Sequence, residues 1–327
     1  MARFERIQLT YNNVYVVDGP EGRILIDTGP DYKGARDLLR EALGDRPPDA
    51  VIATHSHHDH AGLGAWWQAQ GVPVYLGGAD LHFARKPHFL DEGELAAMVD
   101  YVRATGAPPE VQAEAIEGLE RRREWAARVA NSAEYPPVGT TGRWPTGLRY
   151  EAFEPEHTVA EDVSIGGLDV LVCPGHTPGN LVAIDPEEGV LFSGDQLLPN
   201  ITPTPGIQFV PGSGGFERFA SLPAFVASLK RLRARELRQC LPGHGEPFTD
   251  VAGEIDGNLA AIEARTERML EELRERGPAT VYGLGERLYP KALRRRFWQI
   301  VATVQGHLDL LAERGLVERQ EGVFVAR

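Results

Sequence analysis

The chain of 327 residues holds only two cysteines, Cys173 and Cys240, and three methionines. Two thiols in a chain this long argue against a disulfide framework and fit a reducing cytoplasm. Apolar runs of about 18 residues are missing, so no membrane span is expected. The opening "MARFERIQLTYNN" lacks the apolar core of a secretory signal, and a cytoplasmic location follows as an expectation. Positive charge is also short. Lysine and arginine number 34 against 47 acidic residues, a formal net charge of −13. That balance disfavours wholesale attraction to nucleic acid or acidic membranes, although a local basic patch is compatible with it. Hydrophobic residues make up 42% of the chain. The length suits one large core with one or two additions.

Two stretches share an order of elements. In the first, "NVYVVD", "RILIDTG", "DAVIAT" and "VPVYLGG" are short apolar runs bounded by Gly and Pro, the pattern of strands. A helix is predicted over 32–43, stopped by Gly44. In the second, "VSIGGLDVLVCPGHTPGN", "LVAIDPEEGVLFSGD" and "ELRQCLPGHG" again read as strands running into Gly-rich loops. Helices are predicted over 216–235 and 251–276. Two sheet-plus-helix halves imply an α/β chain folded as a four-layer αββα sandwich, occupying residues 1–275. Between the halves, residues 80–145 carry two amphipathic helical segments and a Pro/Gly-rich loop at 131–147. They contribute seven basic and eleven acidic residues over 80–135. Placed just after a histidine-rich loop, this helical insertion is expected to cap the site. The tail, 278–327, reads helix, helix, then a hairpin turning at "RQEG", the order of a winged-helix-like domain. It has eight basic and five acidic residues.

The chemistry is concentrated in "ATHSHHDHAG", residues 53–62. His55, His57, Asp59 and His60 crowd one loop at a spacing that no amphipathic helix or buried strand requires. Three further Gly-bordered loops each follow an apolar run and supply His176 ("CPGHTPGN"), Asp195 ("FSGDQ") and His244 ("LPGHGEP"). Imidazole and carboxylate together suit Zn2+, iron or manganese. Seven donors exceed the needs of one four-coordinate ion. They fit two divalent ions roughly 3.5–4 Å apart that share a carboxylate. The assignment is His55, His57 and His176 on one ion, Asp59, His60 and His244 on the other, with Asp195 bridging. His58, His82, His88, His157 and His307 read as ordinary surface or core residues, and Cys173 and Cys240 as small buried hydrophobes.

The run "THSHHDH", followed in order by "PGH", "GD" and "PGH", resembles the metallo-β-lactamase superfamily, whose T-H-x-H-x-D-H pattern is met by Thr54 to His60. The resemblance covers about residues 1–275, with the insertion as a departure, and it implies the sandwich fold and a dinuclear site. It also implies that Asp27 in "ILIDTG" supports a metal histidine. The best-known zinc β-lactamases place a cysteine in the later loops where this chain has Asp195, which argues against antibiotic hydrolysis.

The implied reaction is hydrolysis by a hydroxide generated between the two cations, with Asp59 and Asp195 placed to shuttle its proton. No G-x-S-x-G nucleophile elbow is present. "CPGHTPGN" resembles the loop of hydroxyacylglutathione hydrolases and thioesterase relatives, pointing to a small-molecule acyl substrate: an ester, thioester or lactone. Asn180, Asn200, Thr202 and Thr204 are candidate pocket residues, and Trp66, Trp67 and Phe89 candidate apolar contacts, with core packing the commoner use of each aromatic. A phosphodiesterase acting on single-stranded RNA is the alternative, with "KALRRR" (291–296) as the one dense basic run. A mononuclear iron persulfide dioxygenase is a further alternative, against which His244 counts. Partners outside the substrate, a homo-oligomer included, stay open.

Overall fold

The computed structural model describes residues 4–86, 90–130, 132, 134–137, 139–141, 144–202 and 206–327. Of the sequence candidates, His88, Phe89 and Thr204 lie outside the described residues.

The first half begins with a three-stranded meander: β1 (Phe4–Gln8), β2 (Asn13–Gly19) and β3 (Gly22–Ile26). Helix α1 (Ala35–Leu43) carries the chain to β4 (Ala50–Ile52), parallel to β3. It starts three residues later than expected, because Gly34 sits at a left-handed φ of 93°. The short helices α2 (His58–Ala61) and α3 (Gly64–Ala69) lead to β5 (Val74–Gly77) and a 3₁₀ turn at Gly78–Asp80. The insertion follows as α4 (Leu81–Ala84), α5 (Glu92–Ala104) and α6 (Pro109–Ala130). The stretch read as a loop contains a small hairpin, β6 (Gly139–Thr141) and β7 (Trp144–Thr146). Strand β8 (His157–Val159) then rejoins the first sheet beside β5.

The second half contributes β9 (Val163–Ile165), β10 (Leu168–Val172), β11 (Leu181–Asp185) and β12 (Val190–Gly194), all antiparallel. A hairpin of β13 (Phe209–Gly212) and β14 (Gly215–Arg218) comes next, so 216–218 is strand rather than the predicted helix. The helix is α7 (Ser221–Arg233), and β15 (Gln239–Pro242) then pairs parallel to β12. Helix α8 (Val251–Arg276) runs as expected.

Strand order β1-β2-β3-β4-β5-β8 in one sheet and β15-β12-β11-β10-β9 in the other makes two packed sheets. Alternation decides the layers. Ile24 and Ile26 of β3 face the inter-sheet core with Val170, Leu181 and Phe192, while Leu25 faces Leu39 of α1 on the outside. Leu171, Val182 and Leu191 likewise turn outward onto Phe225 and Leu229 of α7 and Ile255 of α8. Both faces of each sheet are covered, which is why the strands read as near-continuous apolar runs. The result is the αββα sandwich. Every strand that feeds a donor loop ends at the same edge of it.

The tail folds as α9 (Val281–Leu288), α10 (Phe297–Glu313) and a hairpin of β16 (Val317–Gln320) and β17 (Val323–Ala326). "KALRRR" lies in the turn between the two helices. Insertion and tail share one apolar core: Val102, Val111 and Ala115 pack with Leu284, Val301, Val304 and Leu308, and Met269 and Leu273 of α8 complete it. The Tyr282 N–H donates to the Thr105 carbonyl at 2.9 Å. Trp66 and Trp67 are buried in the outer core of the first sheet, where the Trp67 indole donates to the Thr28 carbonyl. Among the described residues no helix is long and apolar enough to cross a membrane.

Two outcomes follow. Leu308 is fully buried. Leu308→Ala is expected to cost about 2–5 kcal/mol and, because the core is shared, to lower hydrogen-exchange protection in 92–130 as well as in the tail. Unchanged protection in the insertion would separate the two. His307 is buried and neutral, its Nδ1–H given to Thr266 Oγ1 at 2.7 Å. Burial, helped by Arg265 and Arg314, pushes its pKa down to about 4 from 6.5. A depressed folded pKa means that the stabilisation is whole above pH 6.5 and is lost as pH falls through 4. Wild type should therefore lose about 3 kcal/mol more between pH 7 and 4 than His307→Gln, read from denaturant midpoints.

Candidate metal centre

All seven predicted donors meet at one edge of the sandwich. His55, His57, His176 and Asp195 form one group, and Asp59, His60 and His244 a second, each with ligand atoms within 4.8 Å of one another. Each arrives on a loop just beyond a strand end. β4 delivers His55 and His57, and the first turn of α2 delivers Asp59 and His60. β10 delivers His176, β12 Asp195 and β15 His244.

Asp195 lies between the groups. Its Oδ1 is 3.3 Å from His60 Nε2 and from His244 Nε2, while its Oδ2 is 3.5 Å from His176 Nε2. Asp59 Oδ2 is 3.3 Å from His244 Nε2. Between the imidazoles, His55 Nε2 stands 2.9 Å and His176 Nε2 3.1 Å from His57 Nδ1, and His60 Nε2 stands 3.2 Å from His244 Nε2. His55 and His60 are fully buried at the floor; His57, Asp59, His176 and His244 are partly open at the mouth.

The outer hydrogen bonds assign the ring protons. Asp27 Oδ2 accepts from His60 Nδ1 at 2.7 Å. Asp27 Oδ1 accepts from both the N–H and the O–H of Thr54, at 2.7 and 2.8 Å. With its own proton spent on Asp27, Thr54 Oγ1 accepts from His55 Nδ1 at 3.0 Å. The Tyr11 carbonyl accepts from His244 Nδ1 at 2.7 Å. In the neutral rings, His55, His60 and His244 therefore turn bare Nε2 lone pairs into the gap. The carboxylates draw positive charge into it. Burial opposes a charged His244, but Asp195 and Asp59 outweigh it and push its pKa up to about 10. Burial likewise opposes a charged His60, and Asp27, Asp195 and Asp59 hold it well above the usual range. His176, where burial dominates, is pushed down to about 3. Asp195 Oδ1 is buried without a hydrogen-bond donor. Converging lone pairs, an orphaned carboxylate oxygen and a strong pull on positive charge fit divalent cations. A Cβ on Gly243 would stand 2.6 Å from His60 Cε1 and 3.0 Å from Asp195 Oδ1, so the loop before His244 admits only glycine.

Several supports were not read from the sequence. Asn12 Nδ2 donates to the Asp59 carbonyl at 2.7 Å, and Asn13 Nδ2 to the carbonyls of Pro242 and Gly245. With Tyr11 they make the turn after β1 a cradle for the second group. Asp80 reaches two other donor loops. The substrate candidates are scattered. Asn180 is fully buried, with its Nδ2 on the Leu181 carbonyl. Asn200 is exposed, at a φ of 60°. Thr202 lines a recess with Arg218, Ser221 and His307 of the tail side. His58 stacks on Tyr150 at 4.3 Å, and His157 on Tyr75 at 4.4 Å. Both cysteines are buried and free, their thiols pushed up to about 12 by burial.

The sandwich and its edge of histidines and aspartates define a family. The model described as "Metallo-beta-lactamase superfamily" matches residues 7–244, which include all seven donors, and the chain belongs to that superfamily. It is similar to a probable metallo-hydrolase, YqjP, of Bacillus subtilis (strain 168), 28% identical over 94% of this chain and 90% of that protein. It is similar also to an acyl-coenzyme A thioesterase, MBLAC2, of Gallus gallus, 27% identical over 72% of this chain and 73% of that one. A solved metallo-beta-lactamase family protein of Thermus thermophilus, TTHA1429, superposes with a TM-score of 0.70 at 25% identity. That match covers 100% of this chain and 99% of the other, insertion and tail included.

Asp27 has a φ of 67°, a left-handed conformation that Asp and Asn tolerate. Asp27→Asn keeps the backbone but cannot accept from Thr54 and His60 together. It should weaken Zn2+ binding roughly 10–100-fold, measured by competition with a chromophoric chelator. Wild-type affinity in this variant would remove Asp27 from the metal network.

Proposed function

We propose that the chain is a metal-dependent hydrolase of acyl thioesters and related esters, working with two divalent cations, Zn2+ the first choice. His55, His57 and His176 would hold one, Asp59, His60 and His244 the other. The observation that carries this is the placement of Asp195, with one carboxylate oxygen toward each group. Cations held there would supply acidification of a water toward neutral pH and polarisation of a carbonyl oxygen. Asp59 at the open mouth and Asp195 buried beneath it are the carboxylates that would take a proton from water held there. Asp27, Thr54 and the Tyr11 carbonyl hold the imidazoles in the tautomers that leave the gap free of N–H.

The acyl reading rests on the thioesterase among the relatives and on the "PGHTPG" loop. The position of the insertion agrees with it. Gln208 Nε2 donates to the His176 carbonyl at 2.7 Å. The next residue, Phe209, packs with Leu90, Met98 and Leu119 of the insertion. The helices thus reach the metal loops through β13 and would roof an apolar approach suited to an acyl chain. The tail's helix, helix and hairpin would brace that roof. An RNA phosphodiesterase needs a lane of free cations instead, and within 291–296 Arg294 already lies 3.7 Å from Glu114.

Asp195→Ala and His57→Ala should each lose at least one metal equivalent, by elemental analysis, and reduce acyl-CoA hydrolysis by at least about 100-fold, on the scale of a lost electrostatic stabiliser. Full metal and activity in both would end the proposal. Cleavage of single-stranded RNA that collapses with rising salt, alongside inert thioesters, would favour the phosphodiesterase.

A further inference from the structure

Asp80 lies outside the donor set, yet its carboxylate is fully buried at the end of the 3₁₀ turn after β5. Oδ2 accepts from the Ser56 N–H at 2.9 Å and the Thr177 O–H at 2.8 Å, and Oδ1 accepts from the Gly179 N–H at 2.6 Å. Ser56 stands between His55 and His57, and Thr177 follows His176. One carboxylate therefore ties two donor loops that are over a hundred residues apart in the chain. Backbone packing fixes where it sits. A Cβ on Gly77 would overlap the Gly179 carbonyl, and a Cβ on Gly179 would overlap the Asp80 backbone nitrogen. Among the described residues no basic side chain pairs with Asp80; the donors that Ser56, Thr177 and Gly179 offer it are neutral. Burying a carboxylate without a counter-ion is costly. A chain seeking only to fill that space would use an apolar side chain.

We propose that Asp80 is a positioning residue for one half of the metal pair. It sets the separation of the 55–57 and 176 loops and so tunes the site of His55, His57 and His176. The site of Asp59, His60 and His244 has other supports, Asp27, Tyr11 and Asn12. The inference rests on the two-cation reading above. His55 is also held by Asp27 through Thr54, so loss of Asp80 loosens the first site rather than abolishing it.

Asparagine at 80 has one accepting oxygen, and its amide must face an N–H of either Ser56 or Gly179. The test uses the full-length chain, stripped of metal and titrated with Zn2+ alone against a chromophoric chelator. Wild type should bind two equivalents. Asp80→Asn should weaken one of them about 10–100-fold, the range for a lost ligand support, and leave the other within twofold. Thr177→Val should weaken the same equivalent by less, and Thr177→Ser should restore it. In a His176→Ala background, adding Asp80→Asn should leave the remaining tight equivalent unchanged. Two wild-type equivalents in Asp80→Asn, or equal weakening of both, overturns the assignment while the metal pair stands. If Asp80→Asn does not fold, the valine and serine variants decide: equal affinities in both overturn it. Wild type that binds fewer than two Zn2+ overturns the two-cation reading, and this assignment falls with it.

Discussion

Lone pairs held close together repel. At this edge of the sandwich, neutral His55, His60 and His244 rings aim bare nitrogens into a gap already lined by Asp59 and Asp195, and His60 Nε2 and His244 Nε2 stand 3.2 Å apart. No isolated loop would adopt such an arrangement. It survives because each ring is pinned from behind by an acceptor that cannot move: Asp27 for His60, Thr54 for His55, and the Tyr11 carbonyl for His244. Those acceptors are in turn set by buried strand ends. The crowding is thus maintained by the sheets, and positive charge drawn into the gap, as protons on His60 and His244 or as bound cations, relieves it. Structure elsewhere in the chain can be understood by how it serves this requirement.

The division of support is uneven, and that has consequences. The floor of the site is rigid because Asp27 belongs to β3's end and binds Thr54 at β4's end, two central strands of one sheet. The mouth is assembled across the two sheets. His176 and Asp195 come from the second sheet, His57 and Asp59 from the first. Joining them needs bonds that cross the sandwich, and Asp80 makes two of these, from Thr177 and Gly179, at a single carboxylate that also holds Ser56 of its own sheet. Relative motion of the sheets would therefore disturb the two donor groups by different amounts. Of the two donor groups, one is well anchored and the other has a geometry that depends on the docking of two loops.

The donors were legible in the sequence because a metal site needs residue types that nothing else in a strand-end loop needs. Four such residues within 55–60, and glycine beside each later donor, leave few other readings. Asp27 was legible only by resemblance; its local surroundings, "ILIDTG", also suit an ordinary turn. Asp80 was not legible. A single aspartate in "GGAD" makes no pattern, and its partners are 24 and 97 residues away. Asn12 and Asn13 were hidden for the same reason. The layers were legible from the apolar runs. The partner of each helix was not: the faces of α5, α6 and α10 announce that they pack, and their amphipathic spacing is silent on what they pack against. Residues 216–218 were misread as helix because Pro211, Gly212, Gly214 and Gly215 disguise a hairpin as the approach to a helix.

The shared core of insertion and tail bears on access to the centre. A helical roof inserted in a single loop would be held at its two roots alone and could swing. Here the end of α5 and the start of α6 pack into one core with α9 and α10, and α10 is itself packed on α7 and α8 of the sandwich. Arg218 of β14 adds a bidentate pair with Asp309 of α10, at 2.6 and 2.7 Å, tying the same hairpin to the tail. β13 runs from that hairpin to Gln208 and the His176 loop. The insertion is thereby referenced to the donor-bearing edge from two directions, through the hairpin and through the helices beneath. Such bracing suits an enclosed approach of fixed shape, in which selectivity comes from the walls, better than a lid that must open and close at each turnover.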